Sequence, residues 1–114
     1  VQMIIGIAGP YSAPTVEERK ANSDAMNFAA AMLYEKGHIP FIGVNMAIPV
    51  VEKVNGNDKY KVMMDISLAV IDKCDALLLI GESPGANKER DLIISKGLPV
   101  YYSIEEIPSI NNSV

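Results

Sequence analysis

Two carboxylates, Asp65 and Glu89, are the residues of this chain whose type and spacing best suit them to chemistry. Glu89 ends the segment Ser83-Pro84-Gly85-Ala86-Asn87-Lys88-Glu89, which follows the apolar run Ala76-Leu77-Leu78-Leu79-Ile80-Gly81. That order places Glu89 in the first turns of a helix, just beyond the carboxyl end of a buried strand. Open α/β sheets bind ligands in the crevice outside those strand ends. Asp65 falls on the preceding predicted helix, within reach of the same crevice. Two carboxylates so placed can divide nucleophilic and acid–base work. Each also has a plain structural explanation. An acidic residue is favoured near a helix N-terminus, and Asp65 can equally be a solvated flank residue.

The elements that would position them follow from hydrophobic pattern and punctuation. Met3 to Ala8 is an apolar run stopped by Gly9-Pro10, which suits a buried strand. Thr15-Val16-Glu17-Glu18 carries a capping-box signature. From there Ala21, Ala25, Phe28, Ala29, Met32 and Leu33 recur at helical spacing, and Gly37 ends the helix. Ile39-Pro40-Phe41-Ile42-Gly43-Val44 reads as a second strand, with Pro40 at its first positions. Asn45 to Asn57 reads as a loop with a short helix at most, interrupted by Pro49. Asp58 to Lys73 is helical, with Val62, Ile66, Ala69 and Val70 as its apolar stripe. Ala76 to Ile80 is a strand, about Ala86 to Lys96 a helix stopped by Gly97, and Pro99 to Tyr102 a last strand. Ile104 to Ile107 suits a helical turn. This β-α-β-(loop)-α-β-α-β alternation predicts a small doubly wound, flavodoxin- or Rossmann-like α/β fold. Its mostly parallel sheet has helices on both faces, in a single domain over residues 1–114.

Three loops then converge on one edge of the sheet: Gly9-Pro10-Tyr11-Ser12, Gly43-Val44-Asn45 and Gly81-Glu82-Ser83-Pro84-Gly85. Glycines and hydroxyls there permit close backbone approach and contacts to phosphate or sugar. Ser83 before Pro84 also fits an N-cap with proline at the first helical position. Glu82 competes with Glu89 as a loop carboxylate, and Tyr11 can simply cover the sheet end. His38, after a helix C-cap, reads as a structural or turn residue. Cys74 has no histidine near it in sequence. Gly6-x-x-Gly9 lacks the dinucleotide spacing, and the phosphate-loop pattern of NTPases is missing. No grouping of His, Cys, Asp or Glu has metal-ligand spacing. The expectation is therefore no cofactor and no metal.

Bulk properties narrow the partners. With 14 acidic against 10 basic residues the formal net charge is -4, which argues against a nucleic-acid polymer as partner. No apolar run approaches the ~20 residues that span a bilayer, and the opening Val1-Gln2-Met3-Ile4-Ile5-Gly6 lacks the charged start of a signal peptide. A single cysteine makes no internal disulfide, so a cytoplasmic location is expected. The tail Ile110-Asn111-Asn112-Ser113-Val114 is expected to be loosely held.

Ile5-Gly6-Ile7-Ala8-Gly9-Pro10-Tyr11 resembles the opening strand and loop of nucleoside 2-deoxyribosyltransferase-like proteins. Asp65-Ile66 with Cys74-Asp75-Ala76-Leu77-Leu78-Leu79-Ile80 resembles their middle helix and strand. Ser83-x-Gly85-x-x-x-Glu89, with Gly97-x-Pro99-Val100, resembles their nucleophile helix and closing strand. The resemblance implies cleavage or transfer at the N-glycosidic bond of 2′-deoxynucleosides or deoxynucleotides. Glu89 would be the nucleophile, and Asp65 would orient the sugar or assist proton transfer. Gly9, Pro10, Tyr11, Ser12, Ser83, Gly85 and Asn87 would contact substrate. Ser83 with Ser12 and Arg19 is also similar to the phosphate-holding set of the related deoxynucleoside 5′-monophosphate N-hydrolases. Such proteins assemble as homo-oligomers, so this is implied here too. Two departures stand out. Arg90-Asp91-Leu92 replaces smaller residues after the nucleophile, and Gly6 stands where the transferases carry an aromatic. Hydrolysis without transfer, and nucleotide binding without chemistry, are the alternative readings.

Overall fold

The computed structural model describes residues 1–110. The elements are β1 (Ile4–Ala8), α1 (Val16–Glu35), β2 (Ile39–Ile42), α2 (Gly43–Val51), α3 (Lys59–Ile71), β3 (Ala76–Leu79), α4 (Pro84–Ser95), β4 (Val100–Tyr101) and a 3-10 turn (Ile104–Glu106). The four strands lie in the order β2-β1-β3-β4. All pairs are parallel, with Ile5 opposite both Pro40 and Ala76, and Leu77 opposite Val100. Chain order runs outward from β1 to β2, then returns across it to β3 and β4. The topological switch therefore lies between β1 and β3.

Strand alternation sends successive side chains to opposite faces. Ile5, Ile7, Ala76 and Leu78 pack with Met26 and Leu33 of α1 and with Ile107. Ala8, Leu77 and Leu79 pack with Ile71 of α3 and with Ala86 and Ile93 of α4. This is the expected doubly wound α/β fold, buried on both faces. Gly6 belongs to the second layer. A β-carbon there would stand 2.6 Å from Ile71 Cδ1 and 3.2 Å from Cys74 Sγ, so no aromatic fits at this position.

The caps behave as their chemistry requires. Thr15 Oγ1 accepts from the Glu18 N–H at 3.1 Å, but the box is not reciprocal, because the Thr15 hydroxyl itself donates to Glu18 Oε1 at 3.0 Å. Ser83 Oγ accepts from the Ala86 N–H at 3.0 Å, with Pro84 at the helix start. Gly37 and Gly97 end α1 and α4 at φ +97 and +72, the left-handed region where a β-carbon is costly.

Three sequence readings are corrected. Gly43 and Val44 do not extend β2; they open α2, and Asn45 to Val51 is helix rather than loop. Pro49 is tolerated because it lies in the last turn, where one missing N–H costs a single helical bond. The core stripe of α1 is rotated from the expected one. Met26, Ala29, Ala30 and Leu33 face the sheet, while Phe28 is 75% exposed and Met32 and Ala25 face outward. In α3 the buried residues are Met64, Ser67 and Ile71, not Val62, Ile66 and Ala69. Within the C-terminal segment the Ile110 N–H donates to the Lys36 carbonyl at 2.7 Å. Residues 111–114, part of the tail expected to be loose, lie outside the described residues.

Candidate functional site

A cavity of about 250 Å³ opens at the switch point. The loop after β1 supplies Gly9, Tyr11 and Ser12; α2 supplies Val44; α3 supplies Tyr60, Met63, Met64 and Ser67. The start of α4 supplies Ser83, Pro84, Gly85, Ala86 and Glu89. Ala86, Glu89 and Ile93 form the inward stripe of α4. This phase carries Glu89 under the sheet edge rather than out to solvent. Arg90 points the other way, pairing with Asp91 at 3.1 Å and Glu82 at 3.5 Å. The bulk at Arg90-Asp91-Leu92 therefore leaves Ile93 free to seat in the core.

Glu89 is only 4% exposed, and its Oε2 has no hydrogen-bond partner among the described residues. Burial alone pushes its carboxyl up to about 8 from the ordinary 4.5. Among the described residues no lysine, arginine or histidine lines the cavity to offset that effect. The same buried charge contributes to raising the Cys74 thiol to about 12, after burial and Asp75. That thiol is inert at neutral pH, which removes it as a nucleophile.

Gly43 explains how α2 approaches so closely. A β-carbon at that position would lie 2.8 Å from Ser67 Cβ, 2.9 Å from the Ser67 carbonyl oxygen and 2.9 Å from Glu89 Oε2. The glycine thus packs against both Ser67 and the carboxylate. Ser67 is fully buried, and its hydroxyl reaches only the Met64 Sδ, at 4.0 Å.

Of the expected substrate-contacting residues, Gly9, Tyr11, Ser12, Ser83 and Gly85 meet in this cavity with Glu89. Pro10 does not line it; its ring packs near Gly81. Nor does Asn87, whose Oδ1 is buried without a partner. Arg19 donates to the Ala13 carbonyl at 2.7 Å, bracing the first loop. Asp65 is not brought to Glu89. Its side chain is 62% exposed and paired with Lys61 at 2.8 Å. It borders a different, mostly apolar groove with Pro40, Phe41, Met46, Ile66 and Lys73. The reason is helical phase: residues two apart differ by about 200° around the axis, so when Ser67 faces inward Asp65 must face out. Ser67, Met64 and Tyr60 were missed, though Ser67 stands four residues before the buried Ile71, a spacing that marks the inward face.

Two other polar residues have structural duties. His38 is fully buried; its Nδ1 accepts from the Met3 N–H at 3.1 Å and its Nε2 lies 2.7 Å from the Pro108 carbonyl. Because Nδ1 accepts, Nε2 carries the proton and donates to Pro108. Asp75 Oδ2 accepts from the Ile4 N–H at 2.8 Å, fixing the start of the central strand. No group of three or more potential metal ligands occurs among the described residues.

A family model described as "Domain of unknown function (DUF4406)" matches residues 3–102, from the first strand to just past the last. The chain belongs to the DUF4406 family. No curated protein matches it. The matched span of this DUF4406 domain contains every residue of the cavity. No helix among the described residues is long and apolar enough to cross a membrane.

Proposed function

We propose that this DUF4406 domain cleaves the N-glycosidic bond of 2′-deoxynucleosides, or transfers their sugar, with Glu89 as nucleophile. The observation that carries the reading is a buried carboxyl, one oxygen of which has no partner among the described residues, lining a cavity at the switch point of a parallel sheet. The motif resemblance described above supplies the chemistry. Glu89 would attack the anomeric carbon as the C–N bond breaks, forming a sugar ester, while the departing base takes its proton from water at the cavity mouth. Water or a second base would then release the sugar from Glu89.

The volume supports a small occupant. A cavity of about 250 Å³ lies below the ~300 Å³ lower bound of drug-sized pockets, so it suits a sugar ring with the base at the mouth, beside Tyr11 and Tyr60. The uncharged lining apart from Glu89 favours a nucleoside over its 5′-monophosphate. Ser83, the expected phosphate contact, already caps α4.

A second reading, ligand binding without turnover, is favoured by one observation: Asp65 faces away, leaving Glu89 without a second acid in the cavity. The two readings part in one experiment. Purified protein is incubated with deoxynucleosides and their monophosphates, with and without an acceptor base, beside Glu89→Gln. Free base or exchanged nucleoside formed by the wild type and lost at least 100-fold in the variant is the expected result. Equal turnover by both proteins removes Glu89 as nucleophile, and ligand-induced stabilisation without turnover selects the binding reading.

A further inference from the structure

Ser67 and Glu89 come from different helices and face the same gap. Both are buried, both line the cavity, and both pack against Gly43, where a β-carbon would lie within 2.9 Å of Ser67 Cβ and of Glu89 Oε2. Ser67 spends its hydroxyl on a thioether sulfur at 4.0 Å, a weak acceptor. Glu89 Oε2 meanwhile has no partner among the described residues. A donor held by a poor acceptor beside an unsatisfied carboxyl oxygen is a pair waiting for one of them to change state. Hydrogen bonds to ionised acceptors are about twice as strong as neutral ones, so ionisation of Glu89 is the change that would recruit the hydroxyl.

We propose that Ser67 is the positioning residue for Glu89, its hydroxyl turning from Met64 to donate to Oε2 of the carboxylate beside Gly43, against which both residues pack. The inference rests on the reading of Glu89 as the reacting carboxylate. In this role Ser67 leaves the other oxygen free to attack, and it holds the carboxylate plane as the ester forms and breaks. It also lowers the cost of ionising an acid in an otherwise apolar setting. The other titratable side chains facing the cavity are Tyr11 and Tyr60, and Cys74 lies near enough to feel the charge of Glu89. None carries a positive charge, which leaves the hydroxyl as the nearest compensating group that this chain supplies.

The test reads the carboxylate rather than turnover. With ¹³C-labelled glutamate, the Glu89 carboxyl resonance is assigned by its loss in Glu89→Gln and titrated in wild type, Ser67→Ala and Ser67→Cys. Ser67→Ala is expected to move the Glu89 midpoint upward by about one pH unit, a tenfold change in its acid constant. Ser67→Cys, with a weaker donor of similar size, should fall between. An unchanged midpoint in Ser67→Ala overturns the proposal. If Ser67→Ala does not fold, a Ser67→Cys midpoint equal to that of wild type overturns it instead. Where turnover is found, the alkaline shift must also appear in the pH dependence of kcat/KM. Where no substrate is turned over, the glycosidic reading fails while the titration still decides the role of Ser67.

Discussion

At the scale of the residue, Glu89 sets a conflict between stability and reactivity. Its folded-state carboxyl titrates near 8, above the ordinary 4.5 that applies to an unfolded chain. Between those values the unfolded chain gives up a proton that the folded one retains, so stability falls as pH rises through this window and levels off above it. Glu89→Gln removes that cost. The variant should unfold at higher temperature than wild type at pH 8, by about 2 kcal/mol or more. The advantage should vanish near pH 4; thermal unfolding at the two pH values checks it. Activity runs the other way: if the ionised form attacks, kcat/KM rises with pH toward a plateau above about 8. That Glu89 would sit beneath a strand end was legible from the strand–Ser-Pro–helix order. That Asp65 would turn outward was not, because two adjacent apolar stripes, Val62/Ile66/Ala69 and Met64/Ser67/Ile71, compete in α3. Only packing against Leu77 and its neighbours chooses between them.

At the scale of the element, α2 was the least legible part of the chain. Pro49 reads as a helix breaker, and nothing local says that it falls in a last turn. The tightness of Gly43 depends on Ser67 and Glu89, residues remote in sequence that no pattern near position 43 reveals. Gly43→Ala therefore tests the arrangement directly. Its methyl would need space held by the Ser67 backbone as well as by two side chains. The expected result is a loss of about 2 to 3 kcal/mol in denaturant unfolding, together with weakened ligand binding. Unchanged stability would mean that α2 stands farther from α3 than described. By contrast the caps at Thr15 and Ser83 and the stops at Gly37 and Gly97 were readable, because each depends on the residues within one turn, and so were the apolar runs of the strands apart from the Gly43-Val44 end of β2. The face of α1 was misread for the same reason as α3. Leu33 and Ala29 of the expected stripe do pack inward, but Phe28 and Met32, apolar enough to pass as core, face outward and Met26 takes their place.

At the scale of the whole molecule, His38 joins the two ends of the described chain. Its ring receives the Met3 N–H and reaches the Pro108 carbonyl. His38→Ala would strand both groups and open a cavity, with an expected loss of about 2 to 4 kcal/mol read as a lower urea midpoint. The exposed Phe28 and Met32 lie along a shallow apolar surface with Ile80, Tyr102 and Ile104.

The outward-and-back strand order also bears on how the chain becomes competent. β1 and β2 with α1 between them can form early, because their contacts are near in sequence. The far wall of the cavity arrives only when β3 crosses back to pair Ile5 with Ala76 and α4 docks behind it. Such long-range parallel pairing is slow relative to local structure. A chain still emerging from the ribosome would already display one wall of the cavity but no carboxylate. A ligand that needs Glu89 can therefore recognise only the finished fold, and its binding slows unfolding rather than guiding assembly.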